Sequence, residues 1–210
     1  DEPLGYFRLR IAPRKDQQMP VLPKDVTFVV DASNSIVQRK LDLTVRALTD
    51  LVQRLRPEDR FNIVVFRDAA SGFRDNLTPA TPEEKQAALS FLNGLQSRGE
   101  TDVYQGIRPV IDTSSREGVP SVVMLLSDGR PTRGIMDGRT IINALTDENA
   151  MRNTIFAFGG GRTVNRYLLD LLAYRNKGES HIADGIEQIP GELQRFFGQL
   201  EDPLLVDCRA

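Results

Sequence analysis

Three short stretches carry oxygen-bearing side chains at spacings that would suit a hard cation: Asp31-Ala32-Ser33-Asn34-Ser35, Thr101 within Gly99-Glu100-Thr101-Asp102, and Asp128 within Ser127-Asp128-Gly129. Asp31 and Asp128 each close an apolar run, so each should stand at the carboxyl end of a strand, where open parallel sheets bind their ligands. Thr101 opens an amphipathic stretch from a loop that can reach the same edge. Three hydroxyls and two carboxylates form an all-oxygen set, which suits Mg²⁺, with Mn²⁺ or Ca²⁺ as alternatives, and not zinc or copper. Two formal charges leave such a cation under-neutralised, and Mg²⁺ asks for six oxygens. One coordination position is therefore expected to stay open to an outside ligand, such as an Asp or Glu of a protein partner. A long helix beginning near Ser35 would add its positive end to the field that draws that anion.

The elements that must position these groups follow from hydrophobic periodicity. Short apolar runs rich in β-branched and aromatic residues cover Asp25 to Val30, Phe61 to Phe66, Val119 to Leu126 and Thr154 to Phe158, with a weaker one at Ser180 to Ala183. Such runs suit strands buried on both faces. Between the first two, Val37, Leu41, Val45, Leu48, Val52 and Leu55 recur at spacings of three and four and predict a helix ending before Pro57. Further helices are expected at Glu83 to Leu95, Val103 to Ile111, Arg139 to Glu148, Val164 to Tyr174 and Pro190 to Leu200. Pro109 should kink or restart the Val103 helix, and Ser71 to Leu77 suits an edge hairpin. Alternation of strands and helices predicts an α/β fold, a parallel sheet covered on both faces.

Taken together, the Asp-x-Ser-x-Ser after a strand, the later Gly-x-Thr and the Ser-Asp-Gly resemble the metal-ion-dependent adhesion site of von Willebrand factor A-type domains. The likeness extends over about residues 24 to 200. It includes Pro57-Glu58-Asp59-Arg60-Phe61-Asn62 and Val164-Asn165-Arg166, and is nearest to the version in inter-α-trypsin inhibitor heavy chains and bacterial relatives, through Tyr6-Phe7-Arg8-Leu9 and Pro23-Lys24-Asp25-Val26. The resemblance implies a Rossmann-like, doubly wound sheet of six strands, mostly parallel with one antiparallel edge, and metal-dependent recognition of protein partners. It also implies that Ser33, Ser35 and Thr101 touch the metal, with Asp31 and Asp128 binding directly or through water. Three positions depart from the family pattern: Asn34 replaces a common Gly, Ile36 a common Met, and Glu100 a common second Gly. Glu100 would repel an acidic partner, bind the ion in its absence, or point into water.

Other readings of the same residues compete with this one. Asp, Ser, Asn and Gly are ordinary loop residues, and Ser35 alone would serve as a helix N-cap. Gly159-Gly160-Gly161 does not follow the first strand and lacks the Gly-x-Gly-x-x-Gly spacing of a dinucleotide loop. His181, the single histidine, has no Gly-x-Ser-x-Gly elbow to make a triad. A metal-dependent phosphohydrolase built on Asp31 would need a second Asp where Ser33 stands, and no Lys is evident near Asp128. Arg130 and Arg133 would either flank the metal crevice or belong to a solvated loop.

Composition narrows the class further. With 210 residues, 40% hydrophobic content and a net charge of -2, the chain is long enough for one substantial core and has no basic excess for nucleic acid. No apolar run reaches the ~18 residues of a membrane span, and Asp1-Glu2-Pro3-Leu4 is not a secretion signal, although numbering from Asp1 also suits an excised piece. Cys208 stands alone, which excludes an internal disulfide. Residues 1–23 are expected to be a strand, Tyr6 to Ile11, and a Pro-containing linker of a neighbouring domain. Residues 24–200 are then the domain itself and 201–210 an extension with a short strand at Pro203 to Val206. The expected function is a non-enzymatic, metal-dependent binding module within a larger extracellular, surface or periplasmic protein, the alternatives being the phosphohydrolase or a structural domain with an unused site.

Overall fold

The computed structural model describes residues 21–113, 116–150 and 152–201. The expected strand Tyr6 to Ile11, the strand Pro203 to Val206 and Cys208 lie outside them. Within them runs the order β1 (Asp25–Asp31), α1 (Gln38–Arg54), β2 (Arg60–Phe66), β3 (Ala70–Gly72), β4 (Thr78–Pro79), α2 (Pro82–Asn93) and α3 (Val103–Ile111). It continues with β5 (Ser121–Leu126), α4 (Gly138–Asn149), β6 (Thr154–Gly160), α5 (Arg166–Arg175), β7 (Ser180–Ala183), a single 3-10 turn (Ile186–Gln188) and α6 (Ile189–Gly198).

The sheet has the order β3-β2-β1-β5-β6-β7, with the two-residue β4 also pairing with β2. The pairs β1–β2, β1–β5, β5–β6 and β6–β7 are parallel, while β3 and β4 run antiparallel to β2. This is the expected mostly parallel sheet with an antiparallel edge. Six strands form the continuous path, and β4 makes a seventh. The predicted hairpin over Ser71 to Leu77 resolves into β3 and β4, which flank Arg74 and are both held by β2 rather than by each other.

Alternation along each strand builds two cores. Val26, Phe28 and Val30 of β1 face α1, α2 and α6, where Leu41, Leu48, Leu92, Leu193 and Phe197 are buried against them. Val29, with Val123, Leu125, Ile155 and Ala157, faces α3, α4 and α5 through Ile107, Ile141 and Leu168. Burial of a large apolar side chain contributes about 1.5–3 kcal/mol, and Phe28, Phe61, Phe66 and Phe197 are all enclosed.

Two helices differ from expectation. The buried stripe of α1 runs through Lys40, Leu41, Thr44, Ala47, Leu48, Leu51 and Val52, so it is rotated from the Val37-to-Leu55 line, and Val37 is exposed. Pro109 neither divides nor restarts α3, which ends two residues later at Ile111. In the last turn a proline removes only one helical hydrogen bond.

The topological crossover sits at β1. Chain order moves from β1 outward to β2 and β3 on one side, then returns to place β5 on the other. In doubly wound sheets the crevice at such a reversal is the binding edge. Val30 pairs with Leu126, so Asp31 and Ser127 follow side by side as the two strands end.

Candidate metal centre

Three loops are joined at this edge before any side chain is considered. Asn34 N donates to Gly99 O at 3.0 Å and Arg98 N to Ala32 O at 3.0 Å, tying the Asp31 loop to the Thr101 loop. Asp102 N donates to Arg67 O at 3.1 Å, and Thr132 N to Thr101 O at 2.9 Å, which brings in the ends of β2 and β5. Thr101 N in turn donates to the Thr132 hydroxyl at 2.8 Å. Two glycines permit this closeness. Gly129 takes a φ of +66°, which turns the chain sharply after Asp128, and Gly106 lets α3 press against the Phe66 ring with no room for a Cβ.

The three hydroxyls meet. Thr101 Oγ1 donates to Ser33 Oγ at 2.6 Å, Ser33 Oγ and Ser35 Oγ lie 2.9 Å apart, and Ser35 Oγ lies 3.4 Å from Thr101 Oγ1. Ser33 and Thr101 are fully buried, whereas Ser35 is exposed. Ser35 is not the N-cap of α1, because the helix starts at Gln38 and its N-cap is Val37, with no side-chain bond. The positive helix end thus stands three residues beyond Ser35 rather than beside it.

The two carboxylates flank this triangle. Asp31 accepts from Ser33 N at 3.1 Å through one oxygen and from the Ser127 hydroxyl at 2.7 Å through the other. Asp128 accepts from Arg130 N at 3.0 Å. Both are buried, and among the described residues neither forms an ion pair with a basic side chain. Burial pushes the Asp31 carboxyl up to about 6, and the neighbouring Asp128 charge adds to that, against the opposing bonds from Ser33 and Ser127.

The donor set fits a hard divalent cation: oxygen atoms only, from three hydroxyls and two carboxylates that no basic side chain pairs among the described residues. Among the described residues no three His, Cys, Asp or Glu side chains converge, so a site of the imidazole or thiolate kind is not built here. The hydroxyls now bond to one another with lone pairs that a cation would engage instead.

The surroundings include groups to which the sequence assigned no role. Ser127 links the sites of Asp31 and Gly129, whose N donates to the Ser127 hydroxyl at 2.9 Å. Arg67 donates to the Ala32 carbonyl at 3.1 Å and to Gln96 O at 2.8 Å, bracing the first loop from β2. Lys40 is a further such group: it is buried on the inner face of α1, and burial lowers its pKa against the opposing charges of Asp128 and Asp31. Its signal was its place one turn before Thr44 on what proves to be the inner face of α1. Ser33 still occupies the position where a hydrolase of this kind would need its second Asp.

The remaining candidates separate. Glu100 is exposed and lies 3.4 Å from Arg133, which also reaches Asp68 at 3.5 Å. Arg130 holds Asp128 through its backbone, and its side chain is exposed. His181 contacts Glu192 at 2.6 Å and stacks on Phe158 and Phe196, a structural role in the β7 edge.

The human inter-alpha-trypsin inhibitor heavy chain H4 is 33% identical over 209 residues, covering 96% of this chain and 22% of that protein. The chain thus spans less than a quarter of that relative. Among solved structures, a von Willebrand factor type A protein from Catenulispora acidiphila superposes with a TM-score of 0.73 at 16% identity, covering 83% of this chain and 42% of that one. Proximal thread matrix protein 1 from the mussel byssus, with a zinc-occupied metal-ion-dependent adhesion motif, superposes at 0.69 and 21% identity, covering 86% and 46%. The family model for the von Willebrand factor type A domain matches residues 25–194, and the chain belongs to that family.

Proposed function

We propose that the chain is a metal-dependent protein-binding module in which Ser33, Ser35 and Thr101 contact a divalent cation, Mg²⁺ by preference, while Asp31 and Asp128 bind it directly or through water. The observation that carries this reading is the meeting of three hydroxyls from two loops beside two buried carboxylates that, among the described residues, pair with no basic side chain. Zinc in the byssus protein's adhesion motif supports occupancy by a divalent ion. The donor set here, oxygen without thiol or imidazole, favours Mg²⁺ or Mn²⁺, with Ca²⁺ as the third candidate.

When bound, the ion offers an open coordination position to an outside carboxylate. Around it, Ser127 and the Ser33 amide orient Asp31, the Arg130 amide orients Asp128, and Thr132 holds the Thr101 loop. The partner is a protein offering an Asp or Glu, and no substrate is turned over. The module works as one part of a larger protein outside the cytoplasm, with residues 24–200 as its folded unit, 1–23 a lead-in and 201–210 an extension.

Melting in Mg²⁺, Mn²⁺, Ca²⁺ and chelator tests metal binding, since a ligand specific to the folded state must stabilise it. Capture of proteins from a native extract in Mg²⁺ and their release by chelator tests the partner. Identical melting in all four conditions contradicts the reading, and phosphate release that requires Asp31 would replace it with the enzyme.

A further inference from the structure

Arg39, Arg60, Arg74 and Arg116 each hold a carboxylate at 3.0 Å or closer. On the side of the sheet covered by α4 and α5, the exposed Arg130, Arg139 and Arg175 differ: among the described residues none of them forms an ion pair. Arg175 donates to the Asn143 side chain instead. Apolar exposure gathers in the same place. The described residues expose five large apolar side chains, and three of them, Met136 at 57%, Tyr167 at 52% and Tyr174 at 78%, belong to this stretch. Single exposed apolar residues need no explanation, whereas a run of them rimmed by polar groups marks an interaction surface.

These groups line two adjoining hollows. One, of about 360 Å³, is walled by Arg130, Pro131, Met136 and Val164. The other, of about 300 Å³, lies between α4 and α5 and is walled by Arg139, Ile142, Tyr167, Leu171 and Arg175. Met136 leads to Arg139 on one bank and Asn165 to Tyr167 on the other, and a Cβ on Gly138 would stand 3.7 Å from the Tyr167 ring, so the hollows meet there. Tyr167, Leu171 and Tyr174 recur at helical spacing and carry the row along α5. Among the described residues no carboxylate lines either hollow. Asp137, between them in the chain, is turned to cap α4, accepting from Thr140 N at 2.8 Å. The groove between α1 and α2, by contrast, is lined by Asp42 and Asp50 as well as Arg46. The first hollow is joined to the candidate metal centre through Asp128, whose carbonyl accepts from Asn165 N at 2.8 Å and whose carboxylate accepts from Arg130 N at 3.0 Å.

Building on the metal-site reading above, we infer that this stripe is the second half of the partner-binding surface, and that its occupant is an extended acidic segment of the protein whose carboxylate completes the metal. The first carboxylate sits at the ion, an apolar side chain after it enters the hollow beside Met136, and a further carboxylate meets Arg139 and Arg175. Charge complementarity selects this occupant: arginines without acids of their own, in a chain whose net charge is -2, keep a local positive field for an incoming anionic segment. Any protein can offer one carboxylate to a metal. The stripe is what distinguishes partners, since a basic segment after the first Asp would be repelled by the same arginines.

The test pans the full chain in Mg²⁺ against phage-displayed peptides that carry one fixed Asp followed by about six randomised positions, with elution by chelator. The wild type should enrich Leu, Met or Phe, and then Asp or Glu, at the randomised positions. The double variant Arg139→Glu, Arg175→Glu should bind the leading wild-type peptide roughly tenfold more weakly, the order expected for reversing charge contacts across an interface. It should itself select Lys or Arg in place of the acids, while Mg²⁺ raises its melting temperature as in the wild type. Met136→Ser should lose the apolar preference alone. Peptides defined by the fixed Asp only, equal peptide binding by the wild type and the charge-reversed chain, or no enrichment by a chain that Mg²⁺ does stabilise overturns the inference and leaves the metal site standing. Binding that survives chelator and is displaced by heparin assigns the stripe to anionic polysaccharide and also overturns it. A wild type that Mg²⁺ does not stabilise removes the metal-site reading and the inference with it. Should the double variant fail to fold, Arg139→Glu alone carries the charge test.

Discussion

One strand carries an aspartate at each end, and the two are treated in opposite ways. Asp25, at the start of β1, is almost fully buried, and burial by itself would raise its pKa. Arg60 at 2.5 Å and Arg116 at 2.7 Å more than offset this and hold the carboxyl below its usual range. Asp59, beside it at the same end of the sheet, is paired with Lys24. Asp31, six residues on, is equally buried, accepts only neutral donors and has its carboxyl raised. A carboxylate that serves the fold is matched by permanent cations, whereas Asp31 and Asp128 are left short of positive charge. That shortfall marks the candidate binding end of the molecule more clearly than any single motif, because the energetic cost of an unmatched buried charge is otherwise unexplained.

The contrast yields predictions of decreasing size. Asp59→Ala leaves Lys24 buried without its partner and should cost about 3–5 kcal/mol, read as a lower urea midpoint, with the stabilisation by Mg²⁺ unchanged. Asp128→Ala should do the reverse: the fold survives in chelator, and the gain of about 2.7 kcal/mol expected at a hundredfold excess of metal over its dissociation constant disappears. If Asp128→Ala keeps that gain, the two ends do not differ in the way described.

Acid separates the ends next. Asp31 holds its proton more tightly folded than unfolded, so in chelator its contribution to stability falls as pH rises from the ordinary carboxylate range to about 6, and metal, competing with that proton, binds more weakly below about pH 6. Asp25 has the opposite sign. Its stabilisation is present above the ordinary carboxylate range and is lost as pH falls through its depressed folded value. Calorimetric metal titrations at pH 5 and pH 7 check the first trend, and denaturant midpoints below pH 4 check the second. A metal affinity flat across pH 5 to 7 would contradict the raised Asp31. The smallest effect belongs to Glu100→Ala, which removes an exposed pair with Arg133 and should change Mg²⁺ affinity within about twofold.

Much of this arrangement was legible before the fold was known, for physical reasons. Strands buried on both faces must be apolar throughout, so β1, β2, β5 and β6 declared themselves, and the polar residues that end them could only stand at the sheet edge. Asp31, Ser33, Ser35, Thr101 and Asp128 stood out as candidates because each interrupts or follows such a pattern. Lys40 did not, since a lysine beside an apolar stripe normally marks the solvent side of a helix, and only the rotation of α1 about its axis turned it inward. Ser127 and Thr132 act through second contacts, a Ser-to-Asp and a Thr-to-amide bond across loops distant in sequence, which spacing alone does not encode. The short β3 and β4 owe their existence to the free edge of β2 more than to their own residues.

The central claim, that side chains from three loops form one cation site at the end of β1, is tested most directly by a crystal soaked in Mn²⁺ and measured at a wavelength where manganese scatters anomalously. The account predicts a single strong peak within coordinating distance of Ser33, Ser35 and Thr101, between Asp31 and Asp128, and its loss in Asp128→Ala. A well-ordered crystal with no peak there, or with manganese bound only elsewhere, would contradict it.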